Sequence, residues 1–498
     1  MKKLFYVFIL FSLIVFQNAA VAEDTIKKSS PEIKAMRSIT AAECLEHVSF
    51  LAGDECNGRG PASEGFDLAA EYIAEQFAEM GLKPAVNGES YYQEFTIDRN
   101  FLGEENALEL QITLPQNDTL FIQYDMEKDF LPVRSAKNVE INSDLVFAGY
   151  GITSPDNDWD DYADIDVKGK IVLVLRGVPP IEDADFGRMF SLRYKTRFAM
   201  DAGAVGLLVV GNPIGSISYK QNIPAVVIRE SVGNDMLKGS GYDIDTLKEK
   251  IKDEQKPLAM ALPHRVRLTI DSELVQDQVT ANIAGYIEGS DPKLKDEFIV
   301  VGAHADHVGQ IGDLTFYGAN DNASGTSTVM EIAEAFATAD TLPRRSVLFI
   351  AFSGEEMGLL GSKYYCEHPL FDIKKTKAMI NLDMVGIGDD AFMIVGGHTY
   401  PDFAKIYDAC SEKYVQIPIR RRWTSSNSDH YPFHEVGVPS VFMYTIGEGP
   451  STYHTPRDLP DTLDPEVMES VGRLNFGVIW KLANMKKVSF KYVENKNN

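Results

Sequence analysis

The residues best suited to chemistry stand just after apolar runs. His304 and Asp306 follow FIVVGA, Glu355 and Glu356 follow VLFIAFSG, and Asp383 follows AMINL. Tyr453 and His454 lie in the loop after VFMYT, and Asp321 opens the helical stretch DNASGTSTVMEIAEAFATA. Each alone would be ordinary: an aspartate after a strand is usually a turn former or a helix cap. Their shared placement is not. In open α/β sheets, ligands bind beyond the carboxyl ends of the strands, so His304, Asp321, Glu356, Asp383 and His454 are expected to converge on one crevice. Carboxylates gathered this closely repel unless cations neutralise them. Two divalent metals sharing one carboxylate would do so, and a mixed nitrogen and oxygen donor set suits zinc. Of two adjacent glutamates, one can ligate. The other cannot easily chelate the same ion, but it can act as general base toward an attacking water.

These residues need a scaffold that brings strand ends together. After about residue 268 the sequence alternates between buried-strand runs (DEFIVVGAH, RSVLFIAFS, KAMINLDMVG, VPSVFMYT) and helical patterns (DFAKIYDACSEKY, DPEVMESVGRLNFGVIWKLANM). That rhythm predicts an α/β domain whose mixed, mainly parallel sheet is flanked by helices. The segment from Thr40 to Pro84 reads as helical, LAAEYIAEQFAEMGL ending at a Gly81 cap. The preceding NGRGPASEG reads as a simple connection. Between about 130 and 266, short strands (DLVFAGYGI, GKIVLVLRG, AVGLLVVGN, IPAVVIRE) parted by Gly, Pro and Asp turns surround one helical piece, RYKTRFAMDAGA. The expected organisation is a signal peptide over 1–22, a first part of the catalytic domain over 23–129, an inserted strand-rich domain over 130–266, the catalytic part over 267–490, and a frayed polar tail over 491–498.

At the amino end, Lys2 and Lys3 precede LFYVFILFSLIVF, and Ala20-Val21-Ala22 supplies small residues for cleavage. This pattern predicts export, to a periplasm or out of the cell, with no stable membrane insertion after cleavage. The formal charge of −25 argues against nucleic acid or an anionic membrane surface as partner. Four cysteines, Cys44, Cys56, Cys366 and Cys410, allow three disulfide pairings in an oxidising compartment. No CxxC occurs, so a cysteine-based zinc site is not indicated.

GAHADH, GANDNASG, SGEEMGLLGS, NLDMVG and YHTPRD together resemble the M28 family of zinc peptidases, which includes aminopeptidases and glutamate carboxypeptidases. The resemblance covers about residues 40–110 and 268–485 and implies the zinc exopeptidase fold. DVKGKIVLVLRG followed by KTRFAMDAGAVGLLVV is similar to a protease-associated (PA) domain, which several branches of the family carry as an insertion. By motif, the resemblance implies two zinc ions. His304 and Asp383 would hold one, Glu356 and His454 the other, and Asp321 would bridge them. It implies Glu355 as general base, Asp306 as the carboxylate orienting His304, Tyr453 as support for the oxyanion, and a cis peptide after Asp321. The implied activity is hydrolysis of N-terminal residues from peptide substrates. A carboxypeptidase remains open, because Arg420, Arg421 or Arg422 could clamp a terminal carboxylate. So do a single-zinc glutaminyl cyclase and a receptor-like binding protein. Ser428, Asp429 and His430 resemble a secondary motif lining the site. They cannot form a nucleophilic triad, being adjacent in sequence.

Overall fold

The computed structural model describes residues 30–113, 118–133, 138–212 and 223–495. The apolar amino-terminal run lies outside the described residues. Two large sheets organise the chain. In the first, four neighbouring strands are parallel, in the order Ser346–Phe352, Phe298–His304, Thr376–Leu382 and Ser440–Ile446. The first two strands are buried at every residue. Such continuous apolar runs form where helices cover both faces of a parallel sheet. Antiparallel strands flank this core: Ser272–Ile287 on one side, and Ala391–Val395 on the other, paired in turn with Ile419–Arg422.

Helices Ala41–Leu51, Glu64–Glu79, Ser324–Ala337, Pro401–Tyr414 and Pro465–Asn484 share one large core against one face. The shorter Leu360–Glu367 and His430–Glu435 cover the other face through Tyr365, Cys366 and Phe433. The closing helix begins at Pro465, a residue suited to a first turn that lacks N–H partners, and the Asp464 carboxylate accepts the N–H of Glu466 and Val467.

Among the described residues the second sheet has eight strands, and its core is built from Leu108, Phe147, Leu173, Leu208, Val226 and their neighbours. It starts earlier than the strand punctuation predicts. Ala107–Thr113 and Thr119–Tyr124 pair into it beside Ala259–Ile270, although residues up to 129 were expected to belong to the catalytic domain. The reason is burial on one side only. Leu108 and Leu110 face the core, so ALELQIT alternates and lacks the unbroken apolar run of its partners. A long ribbon, Tyr92–Leu102 paired antiparallel with Ser272–Ile287, leads into and out of this unit.

The end of the catalytic part and the first residues of the polar tail are held by the fold. Val488 and Phe490 pack on the main core, Phe490 stacks on Phe403 at 4.5 Å, and the Val493 N–H donates to the Thr399 oxygen at 2.9 Å. Alternating apolar residues within a polar stretch anchor it as far as Val493. All four cysteines are buried free thiols. Burial pushes the Cys366 thiol up to about 12.

Candidate active site

His304 is the last residue of its strand, Glu355 and Glu356 stand just past Phe352, and Asp383 follows Leu382 directly. The parallel register therefore brings these groups to one edge, where the turn Ala319–Ala323 and the loop after Ile446 supply Asp321 and His454. Asp321 divides its carboxylate between two donor sets. Its Oδ1 lies 3.3 Å from His304 Nε2, which is 3.4 Å from Asp383 Oδ1. Its Oδ2 lies 3.1 Å from His454 Nε2, which is 3.0 Å from Glu356 Oε1. All five residues are buried, and the Asp321–Asn322 peptide is cis.

Hydrogen bonds from surrounding carboxylates, hydroxyls and main-chain groups hold this arrangement. The Asp306 carboxylate accepts the backbone N–H of Glu355 at 3.1 Å and of Glu356 at 3.3 Å. The His304 imidazole is held by the main-chain oxygen of Asp306 at 3.0 Å, while the carboxylate expected to orient it stands 3.8 Å away. Asp458, the last residue of YHTPRD, braces the bridging turn in the same way, its two oxygens accepting the N–H of Asn320 and Asp321, both at 3.0 Å. Ser428 donates to Asp383 Oδ2 at 2.6 Å and accepts from Asn381 at 2.7 Å.

The NGRG loop is more than a connection. Arg59 is wholly buried and donates to the main-chain oxygens of Ala305 (2.8 Å), Tyr317 (2.7 Å), Gly318 (2.9 Å) and Leu51. His307, three residues past His304, is also wholly buried, with Nδ1 2.8 Å from Glu356 Oε1. The H-x-x-H spacing in GAHADH was the sequence signal for it. Tyr453 is 54 % exposed and stacks on His454 with centroids 3.9 Å apart. Arg420, Arg421 and Arg422 form an edge strand; Arg421 pairs with Asp408, and Arg422 donates to the Tyr444 hydroxyl at 3.0 Å.

The electrostatics fit cations. Burial opposes charge on His304, yet Asp383 and Glu355 hold it well above the usual imidazole range. Burial also opposes charge on Glu356, yet His454 and His307 hold its carboxyl down at about 2. Glu355 has less compensation: burial, Asp429, Glu356 and Asp383 raise it well above the carboxylate range. Glu356 Oε1, Asp383 Oδ1 and His454 Nε2 are buried and accept or donate no hydrogen bond among the described residues. Buried polar atoms are rarely left so. Donors aimed at a common point with no hydrogen-bond partner are what divalent-ion sites require.

Residues 282–479 match the model of peptidase family M28, and residues 136–236 match the PA domain. The chain carries a peptidase family M28 domain. Among curated relatives, Aminopeptidase YwaD of Bacillus subtilis is 26% identical over 65% of this chain and 64% of its own length. An aminopeptidase of Pseudomonas aeruginosa is 24% identical over 87% of this chain and 76% of its own. The chain spans 56% of the probable leucine aminopeptidase of Arthroderma otae, with 31% identity. Among solved structures, a zinc aminopeptidase from Bacillus subtilis superposes with a TM-score of 0.63 at 23% identity, covering 91% of this chain and 97% of that one. A peptidase M28 precursor from Shewanella amazonensis gives 0.64 at 17% identity, covering 96% and 100%. These superpositions show that the M28 domain and its PA domain share the fold of those proteins. No helix among the described residues is long and apolar enough to cross a membrane.

Proposed function

We propose that this protein is an exported aminopeptidase that works with two zinc ions. The observation that carries the two-ion reading is the division of Asp321, with one oxygen among His304 and Asp383 and the other among Glu356 and His454. When bound, the ions would supply an activated water and a polarised carbonyl at neutral pH. Glu355 takes the proton of the attacking water and returns it to the leaving amine. Asp306 positions Glu355 by holding its backbone. Tyr453, whose ring stacks on His454, would donate to the oxygen of the scissile carbonyl as negative charge develops on it.

The excess of carboxylates at this edge favours a substrate with a free amino group. The arginines that could clamp a terminal carboxylate lie on an edge strand, two of them with partners of their own, which favours the aminopeptidase over the carboxypeptidase. The names of the relatives, aminopeptidases and a zinc aminopeptidase, support the same reading. Past His454 the loop continues to Pro456 and Arg457. These line a cavity of about 850 Å³ together with Arg176, Arg229 and Lys248 of the PA unit, giving room to the peptide beyond its first residue. Export rests on Lys2, Lys3 and the apolar run after them.

The test compares one short peptide with a free and with an acetylated amino terminus, using protein whose metal content is measured. Release of the first residue from the free peptide alone, with two zinc ions per chain, is the expected result. Release from the carboxyl end would select the carboxypeptidase, and full activity without metal would end the two-ion reading.

A further inference from the structure

Outside the five residues already assigned, one buried group is aimed at the same centre. His307 is wholly buried, and neither ring nitrogen has a hydrogen-bond partner among the described residues. Its Nδ1 lies 2.8 Å from Glu356 Oε1 and 4.0 Å from Asp321 Oδ2. His454 Nε2 lies 3.0 and 3.1 Å from the same two oxygens and likewise makes no hydrogen bond. Both nitrogens thus crowd the carboxylate oxygens without pointing an N–H at them. Ligand atoms around one zinc at about 2.0–2.2 Å stand about 3.3–3.6 Å apart when tetrahedral, and the contacts of His307 bracket that spacing.

The ring has little freedom to point elsewhere. Its backbone N–H donates to the Arg59 oxygen at 3.1 Å. A Cβ on Gly318 would stand 2.5 Å and 2.6 Å from two ring carbons, so the imidazole packs directly on that glycine. Arg59 in turn holds the Gly318 and Tyr317 oxygens.

Resting on the two-zinc reading, the geometry assigns His307 Nδ1 as a fourth protein donor to the ion held by Asp321, Glu356 and His454. The two ions then differ in kind. One has two imidazoles and two carboxylates and is closed by protein. The other has one imidazole, His304, with Asp321 and Asp383, and keeps a position open. Zinc sites closed by four protein ligands serve structure, and those with three leave room for water or substrate. Substrate would therefore meet the His304–Asp383 ion, and the His307 ion would be the tighter one.

X-ray absorption at the zinc edge on the intact wild-type protein, loaded to saturation and then partly stripped with a chelator, tests this without any substitution. The expected result is two imidazoles on the ion that resists stripping and one on the ion that leaves first. One imidazole on each overturns the assignment of His307 while leaving two ions in place. A wild-type protein that binds only one ion, or none, instead refutes the two-zinc reading itself. His307→Ala and His307→Asn add a second measurement. The retained ion should loosen by more than the 10–100-fold that losing an outer hydrogen-bonding partner typically costs, and free imidazole should restore it in His307→Ala. Unchanged retention in either folded variant overturns the assignment.

Discussion

The carboxylate of Asp306 accepts the backbone N–H of Glu355 at 3.1 Å, and its second oxygen reaches the N–H of Glu356 at 3.3 Å. One buried side chain thereby holds the main chain of two adjacent glutamates. In Asp306→Asn an amide NH₂ must face one of those two N–H groups, leaving a buried donor without an acceptor. Loss of such an outer partner typically costs 10–100-fold in activity or metal affinity. Turnover measured beside zinc content checks this. Wild-type turnover in Asp306→Asn would show that the brace is dispensable.

The two glutamates should fail in different ways. Glu355→Gln keeps the shape and removes the proton acceptor, so turnover should fall roughly 10²–10⁴-fold with zinc content near normal. Glu356→Gln weakens coordination, so zinc content should fall together with activity, and added zinc should restore part of both. Stoichiometry and turnover on the two variants side by side decide the matter. Loss of metal from Glu355→Gln, with both ions kept by Glu356→Gln, would reverse the roles.

What could be read from the sequence follows from where the signal was written. The buried parallel strands show as unbroken apolar runs, and the polar clusters at their ends mark one edge of the sheet. His304, Asp321, Glu356, Asp383 and His454 do meet there. The supporting groups were harder to see because their work is done through backbone. The Asp458 contacts are with N–H groups 137 and 138 residues away in sequence, and those of Arg59 are with carbonyls that every residue possesses. Spacing carries no trace of either. Ala107–Thr113 was missed for a different reason: half-buried alternation is a weaker signal than a fully buried run.

Arg59 offers a test of that hidden support. A lysine has one ammonium and cannot reach the four main-chain oxygens that the guanidinium spans. Arg59→Lys should therefore leave buried carbonyls unpaired, at roughly 1–3 kcal/mol for each group lost. Denaturant unfolding should show a loss of at least about 2 kcal/mol. Chelator titration should show looser metal, because the Arg59 oxygen also receives the His307 N–H. A variant as stable as wild type would mean that water replaces the guanidinium at this loop.

Away from the candidate metal site, the PA unit buries an acid and a base whose titrations pull stability in opposite directions. Asp161 accepts the N–H of Tyr150 at 3.1 Å and of Ile152 at 3.0 Å, and Lys195 donates to the oxygens of Gly177, at 2.8 Å, and Tyr150. Burial raises the Asp161 carboxyl from 3.8 to about 7. Burial lowers the Lys195 ammonium from 10.5 to about 7. As pH rises from about 4 to about 7, the unfolded chain gives up the Asp161 proton while the folded one keeps it, so stability falls. From about 7 to about 10 the unfolded chain keeps the Lys195 proton that the folded one has released, so stability climbs again. Each limb can slope by at most about 1.4 kcal/mol per pH unit. Trp159 is buried in this unit, so its fluorescence, with Trp423 and Trp480 replaced by Phe, reports the local unfolding. The midpoint in urea should pass through a minimum near neutral pH. Asp161→Asn should flatten the acid limb only, and Lys195→Met the alkaline limb only. A midpoint that peaks near neutrality in the wild type would show that the two side chains remain a charged pair throughout, with the ion pair outweighing the burial of both.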